Sequence, residues 1–184
     1  MSPIERLAGH AAPLLGLPVI LRIRRNHGLE HATIHILNRR GHRLSGRSDS
    51  DGFILLGDVP SELVASAANE ALQRLAAGES DLAVHPNCGT NLVTASFLAT
   101  AVGFAGFAGQ GRRQALQRFN TVMTVLTLAL MIAPALGGEL QRHFTTAGDV
   151  GGMRVASIKR RSWRLPFNLG RLVFHRVSTQ QAQA

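Results

Sequence analysis

The chain has 184 residues and a formal net charge of +9, from 20 lysine and arginine residues against 11 aspartate and glutamate residues. This length supports one domain of ordinary size, or a smaller domain with membrane segments. A single cysteine excludes an internal disulfide framework. The basic excess suits contact with anionic lipid headgroups or with nucleic acid.

The N-terminal half predicts a small mixture of helices and strands. The apolar stretch 11–21 is short, contains two prolines and lacks a small-residue cleavage site, so we expect no signal peptide. Apolar positions at helical spacing predict a helix over 20–38. Residues 42–59 then predict a β-hairpin around the turn sequence SDSDG, and 60–78 a second helix that begins at proline and ends at glycine. A short strand is expected at 81–85.

Two apolar stretches follow, each close to the roughly 20 residues that a helix needs to cross a bilayer. Residues 92–109 and 119–137 carry no charged side chain, and a short basic segment connects them. The sequence therefore predicts a transmembrane helical hairpin, with a soluble core hairpin as the alternative. Small residues at four-residue spacing, Ala101, Ala105 and Gly109, predict close approach of the two backbones.

The C-terminal part alternates apolar and polar residues over 151–163 and 169–179, which predicts a second β-hairpin. We therefore predict the α+β class: a small soluble domain built from both chain ends, with an inserted two-helix transmembrane hairpin. The expected divisions are 1–91 for the N-terminal part, 92–137 for the hairpin, and 138–184 for the completing β-hairpin with its polar tail.

The sequence NHGLEHATIH, at 26–35 on the first predicted helix, is a candidate metal site. His27 and His31 stand one turn apart on the same face, so both can bind one ion. HGLEH fits H-x-x-E-H, a pattern in which two histidines hold zinc and the glutamate, here Glu30, takes a proton from metal-bound water. The alternative is a polar, partly exposed helix face that includes His35, with histidines bonding neighbours or headgroups.

A second polar cluster occupies AVHPNCGTNL, at 83–92, just before the first apolar stretch. His85 or Cys88 could complete a site begun by His27 and His31, and three such ligands with one open position would suit zinc. The alternative makes Asn87 part of a turn, Cys88 a small buried residue and Asn91 a helix cap. His143, after the second apolar stretch, is a further candidate because the hairpin could return it toward the same place.

The sequence IKRRSWR places Lys159, Arg160, Arg161 and Arg164 around the only tryptophan, Trp163. In a membrane protein these residues favour contact with anionic headgroups and the interface. Nucleic acid is an unlikely partner, because the chain shows no recognition fold and no glycine-rich phosphate loop. Solvation of a strand face would also explain the charges.

The stretches HGLEHA and HPNCGTN, together with GDVP and QRHFTT, resemble a family of uncharacterised bacterial membrane proteins with a domain of unknown function. The likeness covers most of residues 22–180. It implies a membrane-associated bacterial protein, and we expect the inner (cytoplasmic) membrane with the soluble domain in the cytoplasm. It implies no substrate, activity or cofactor.

HGLEH alone is also similar to the helix of the inverzincin metallopeptidases. That likeness implies His27 and His31 as ligands and Glu30 as the base. The third ligand of those enzymes is a glutamate on a later helix, for which Glu62 and Glu70 are the helical candidates here.

Two functions therefore stay open, and the sequence does not decide whether the protein is an enzyme. One is a membrane-anchored zinc hydrolase, with His27, His31 and His85 as ligands and Glu30 as base. The other is a non-enzymatic membrane protein whose histidine and asparagine cluster is structural, and which assists assembly with a membrane-protein partner or a second copy of itself.

Overall fold

The computed structural model describes residues 2–164 and 170–181. The chain divides into two compact units. The first contains the residues up to His85 and those from Arg142 onward, and it combines helices with a sheet. The second, Pro86–Gln141, is helical. The predicted α+β class with an inserted pair of long helices is confirmed.

Both chain ends contribute strands to one antiparallel sheet in the first unit. The strand order is β1-β2-β4-β3, and β2 pairs with β4 in a register that sets Phe53 opposite Val177. Both predicted β-hairpins are confirmed, while the connection of the second, at 165–169, lies outside the described residues. The strands are β1 Ser45–Asp49, β2 Gly52–Leu56, β3 Met153–Arg164 and β4 Arg171–Gln181.

Helices cover one face of this sheet. The helices of the first unit are α1 Pro3–Leu15, α2 Pro18–Arg39 and α3 Ser61–Ala76, followed by a 3₁₀ turn, Ser80–Ala83. Helices α2 and α3 pack on the sheet and on each other, around a core that includes Leu29, Leu37 and Phe53. The two helices expected at 20–38 and 60–78 are confirmed.

One element of this unit had no counterpart in the sequence predictions, and one prediction differs from the structure. The element is helix α1, which Ser2 and Glu5 start with a reciprocal capping box. The strand expected at 81–85 is wrong. The carbonyls of Ala83 and Val84 accept hydrogen bonds from histidines of α2 instead of from a neighbouring strand.

The second unit consists of α4, Gly89–Phe107, and α5, Arg112–Leu140, which continues as a π-helical turn, Gln141–Thr145. Both helices are long and apolar enough to cross a membrane. Their large apolar side chains face outward: Leu92 and Phe97 are each 71% exposed. Exposed apolar surface of this extent is costly in water.

The two helices approach each other closely at Gly106, a glycine that the small-residue spacing did not select. A Cβ on Gly106 would overlap the Val122 side chain, whereas Gly109 meets nothing within 4 Å. Toward the opposite end of α4, Asn91 packs against Gly137 and accepts a hydrogen bond of 2.8 Å from the Gln141 amide. Gln141 is fully buried, so this bond satisfies a polar group inside the hairpin.

Candidate metal centre

Several polar residues near the middle of α2 lie inside the first unit, not on its surface. His31 is 2% exposed, Glu30 is 3% exposed and Asn26 is fully buried. The Asn26 amide donates to the Asp49 carbonyl at 2.8 Å and accepts from the Thr179 hydroxyl at 2.6 Å. These bonds connect α2 to the strands on both sides of β2. The partly exposed polar face considered above describes His27 and His35, which bond backbone carbonyls, but not these three buried residues.

The rings of His27 and His31 lie close together, and each ring bonds a backbone carbonyl through its Nδ1 atom. Their ring centroids lie 4.3 Å apart. The Nδ1 atom of His27 lies 2.9 Å from the Thr145 carbonyl oxygen, and that of His31 lies 2.7 Å from the Ala83 carbonyl oxygen. Because a carbonyl only accepts, each Nδ1 carries the hydrogen and donates it. In the neutral imidazole the lone pair is then on Nε2, which is the arrangement of metal-ligating histidines.

The ligating atoms of these two histidines lie within 4.8 Å of each other. Nitrogen ligands bind zinc at about 2.0–2.1 Å, so a small rotation of the side chains would bring both onto one ion. His31 is buried while His27 is partly exposed, which leaves a route for an ion from solvent. The pair can hold a metal ion.

Gly28 lies between the two histidines and leaves room for the segments that carry the Ala83 and Thr145 carbonyls. A Cβ at this position would overlap the carbonyl oxygen of Ala147 and lie 3.2 Å from the Ala83 side chain. The segments that carry Ala83 and Ala147 therefore pack against α2 where residue 28 has no side chain. These are the segments whose carbonyls at Ala83 and Thr145 orient the two imidazoles.

Arg24, one turn before Gly28, holds the second of these segments. Its Nη2 donates to the carbonyl oxygens of His143 and Thr146, each at 3.0 Å, on either side of Thr145. The Arg24 carbonyl in turn accepts from the Ala147 N–H at 3.0 Å. Burial lowers the pKa of the guanidinium. Arg24 thereby fixes the carbonyl that sets the tautomer of His27.

His85 and His35 extend the pair into a row of four imidazoles. The His85 ring centroid lies 5.6 Å from that of His31 and 4.7 Å from that of His35. Burial, and secondly the charge of His35, lower the pKa of His85 to about 4, so its ring is neutral at physiological pH. His35 uses Nε2 to bond the Val84 carbonyl at 2.8 Å, so its pattern is the reverse of that in His27 and His31.

Glu30 is buried against the sheet. A Cβ built at Gly46 of β1 would lie 2.5 Å from the Glu30 Oε1, so the absence of a side chain at Gly46 makes room for the carboxylate. Glu30 faces β1, while His31 faces Ala83. Its predicted role as a base stays a prediction.

The remaining candidates belong to other segments of the chain. Asn87, Cys88 and Asn91 belong to the second unit, where the Cys88 sulfur accepts from the Thr90 N–H at 3.4 Å and caps α4. Asn91 donates to the Pro86 carbonyl at 2.6 Å. His143 brings its carbonyl to Arg24. Metal ligation by Cys88 or by the His143 imidazole stays a prediction. The expected membership of Asn87 and Asn91 in the same site also stays a prediction.

The basic cluster of β3 is divided between the two faces of the sheet. Arg160 is paired with the buried His175 of β4, and its guanidinium donates to the Asp58 carboxylate at 2.6 Å. Lys159, Arg161 and Trp163 alternate with it and project from the other face, where Trp163 is 71% exposed. Arg164 ends the strand and is exposed.

Sequence reasoning missed two kinds of residue in the site. Some contribute only a backbone carbonyl, and others, Gly28 and Arg24, position the segments that carry those carbonyls. The carbonyls of Ala83 and Thr145 carry no signal in residue identity. Gly28 did carry one, because an isolated glycine inside a helical pattern often marks close packing. Arg24 also did, since it lies one helical turn before Gly28 on the face that packs.

The structure thus defines a class of protein: an α+β unit with a partly buried row of histidines, joined to two helices that could cross a membrane. The chain matches the family described as a domain of unknown function (DUF6391) over residues 22–158, and it belongs to that family. It is 37% identical over 143 residues to an uncharacterised protein of Picosynechococcus, covering 72% of this chain and 69% of that protein. No solved structure matches the chain.

Proposed function

We propose that the protein is a membrane-anchored metalloprotein in which His27 and His31 bind a transition-metal ion, with zinc as the expected metal. One observation carries the proposal. Both Nδ1 atoms donate to backbone carbonyls, at 2.9 and 2.7 Å, so that in the neutral imidazoles the lone pair that a metal needs is on Nε2. Imidazole nitrogen suits zinc, copper, iron and nickel, and a tetrahedral site with histidine ligands is typical of zinc.

His85 is the proposed third ligand. Its ring is the next in the row, and its low pKa keeps the lone pair available at neutral pH. Three protein ligands would leave the fourth zinc position open for water, and zinc lowers the pKa of such a water to about 7. We further propose hydrolytic chemistry in which Glu30, in the H-x-x-E-H pattern, accepts the proton of that water.

We also propose that α4 and α5 span the bacterial inner membrane and that the first unit lies in the cytoplasm. The outward-facing apolar side chains of both helices support this. The chain passes between the units at His85–Pro86 and at Gln141–Arg142. His85 and Thr145 lie at or near these two crossings, which would place the metal centre close to the membrane surface.

Lipid contact by the predicted basic residues is part of this proposal. Lys159, Arg161 and Trp163 share one exposed strand face, which combines positive charge with an interfacial aromatic side chain. Arg160 is already paired with Asp58, so its contribution should be the weaker.

The first experiment measures metal content by mass spectrometry on protein purified in mild detergent without chelator. The test variant is His27→Asn/His31→Asn, because asparagine keeps a donor near the δ position for the two carbonyls but has no ε nitrogen. His35→Ala is the matched control, since its ring lies at the far end of the row, beyond His85. We expect near-stoichiometric zinc in the native protein and in the control, and none in the double variant. Equal metal in all three would contradict the site.

The same measurement assigns the third ligand. His85→Ala should lower the zinc content or affinity if His85 binds the ion. Cys88→Ser tests the sequence prediction that the cysteine could serve instead. A loss in the cysteine variant alone would move the third ligand to Cys88.

A structural role of the cluster is the second candidate function. The hydrogen bonds that orient the histidines also connect α2 to two distant segments of the chain, which favours a part in holding the fold for assembly with other membrane proteins. Glu30→Gln separates the two. A hydrolase should keep its zinc and lose turnover of a panel of peptide and ester substrates, whereas a structural cluster should change only its thermal stability.

Topology is tested with single cysteines and a membrane-impermeant maleimide on intact cells. Ala108→Cys lies between α4 and α5, and Gln73→Cys lies on the exposed face of α3. We expect label at Ala108→Cys before lysis and at Gln73→Cys only after lysis, with the native protein as the background for Cys88. The reverse pattern would overturn the cytoplasmic assignment.

A further inference from the structure

Helix α1 presents an apolar face that the described part of its own unit covers only in part, since Ile4 and Ala11 are half-buried. Ile4, Leu7, Ala11 and Leu14 recur at three- and four-residue spacing and form one stripe along the helix. Leu7 is 61% exposed, Leu14 is 57% exposed, and α1 has no buried residue. The apolar surface continues past the helix, where Leu17 and Val19 are also exposed.

The structure holds this helix at a defined place. In its capping box, the Ser2 and Glu5 side chains accept hydrogen bonds from each other's backbone N–H groups in the first turn. At the other end, Arg24 Nη1 contacts the Leu15 carbonyl oxygen at 3.5 Å while its Nη2 bonds the His143 carbonyl at 3.0 Å. One guanidinium therefore links the end of α1 to the residues in which the second candidate span ends, Arg112–Thr145.

We propose that α1 lies in the headgroup region of the bilayer as an interfacial helix, with its apolar stripe toward the acyl chains. This inference rests on the proposed membrane insertion of α4 and α5. If those helices cross the bilayer, His143 lies near the surface, and the Arg24 link brings the end of α1 to the same level. An amphipathic helix of 13 residues is suited to that depth and is too short to span the bilayer. The positive charge of the chain favours anionic lipid.

The test places a small fluorescent label at single cysteines in the full-length protein, reconstituted in vesicles of phosphatidylcholine and phosphatidylglycerol. Leu7→Cys and Leu14→Cys lie on the stripe, while Gly9→Cys and Ala12→Cys are exposed controls on the other face of α1. Quenching by lipids brominated near the headgroup reports lipid contact, and quenching by iodide reports water. We expect headgroup-bromine quenching of the stripe labels to exceed that of the controls by at least about twofold, and the reverse with iodide.

A label at Phe97→Cys in α4 separates this inference from the one on which it rests. Bromine near the chain ends should quench that label most strongly if α4 spans the bilayer. Quenching at Phe97→Cys together with equal iodide access at all four α1 labels would overturn only the interfacial helix. Stripe labels protected from both quenchers would also overturn it, and would indicate that a second protein surface covers α1. Absence of lipid quenching at Phe97→Cys would overturn membrane insertion itself.

Discussion

Helices α2 and α4 are of similar length, 22 and 19 residues, yet they distribute polarity in opposite ways. In α2 the polar residues Asn26, Glu30 and His31 are buried. In α4 the apolar residues Leu92, Phe97 and Phe104 are exposed, and the only buried residue is Thr94, whose hydroxyl bonds the Thr90 carbonyl at 2.8 Å.

The contrast teaches that burial in this chain does not follow hydrophobicity alone. A buried polar group is tolerated when its hydrogen bonds are made, and α2 makes them with carbonyls from segments distant in sequence. An exposed apolar face is tolerated when the surroundings are hydrocarbon. The two helices are thus consistent with different surroundings, and the following predictions test each of them.

Phe97→Arg should have the largest effect, because it places a charge near the middle of α4. In a spanning helix this costs about 2.5–3.5 kcal/mol, so we expect the variant to be lost from carbonate-washed membranes. Phe97→Leu, which keeps the apolar surface, should remain. If Phe97→Arg remains in the membrane fraction as well, or if carbonate extracts the native protein, α4 is not surrounded by hydrocarbon and the contrast with α2 is wrong.

Gly28→Ala tests the packing that orients the histidines. The new methyl group would overlap the Ala147 carbonyl, and such overpacking costs about 1–3 kcal/mol. Alanine normally stabilises a helix interior by roughly 1 kcal/mol relative to glycine, so the matched control Gly9→Ala in α1, with nothing within 4 Å, should be neutral or stabilising. We expect a lower melting temperature and weaker zinc binding only for Gly28→Ala. If Gly28→Ala and the native protein melt at the same temperature, the segment near Ala147 can move away from the new methyl group without loss of stability.

The smallest effect is expected in the pH dependence set by His175, a fully buried histidine of β4. Burial, and secondly the charge of Arg160, lower the pKa of His175 below its ordinary value, although Asp58 partly opposes this. The unfolded chain, with a histidine pKa near 6.5, then binds the proton more readily than the folded protein. The contribution of His175 to stability is therefore complete above about pH 6.5 and is lost as the pH falls below it.

Thermal unfolding of the native protein and of His175→Leu between pH 8 and pH 5 measures this contribution. The native melting temperature should fall more steeply with acidification than that of the variant. Parallel curves would show that His175 does not titrate with unfolding.

Local patterns in the chain determined much of this protein. The apolar period of α2 and α3, the turn sequence SDSDG and the length of the uncharged stretches predicted two helices, two β-hairpins and the helical insertion. The four-residue spacing of His27 and His31 placed both imidazoles on one helix face. These features depend on neighbours within a few residues, which the sequence displays directly.

Only the tertiary structure decided the rest. The carbonyls of Ala83 and Thr145 lie 52 and 118 residues from the histidines that they orient, and a backbone carbonyl has the same chemistry at every position. The sequence pattern alone predicted a strand at 81–85, whereas packing against Gly28 and bonding to His31 favour the 3₁₀ turn. Which ring nitrogen donates to a carbonyl is likewise a consequence of long-range contacts, because the tautomer of an imidazole follows from the acceptor placed beside it.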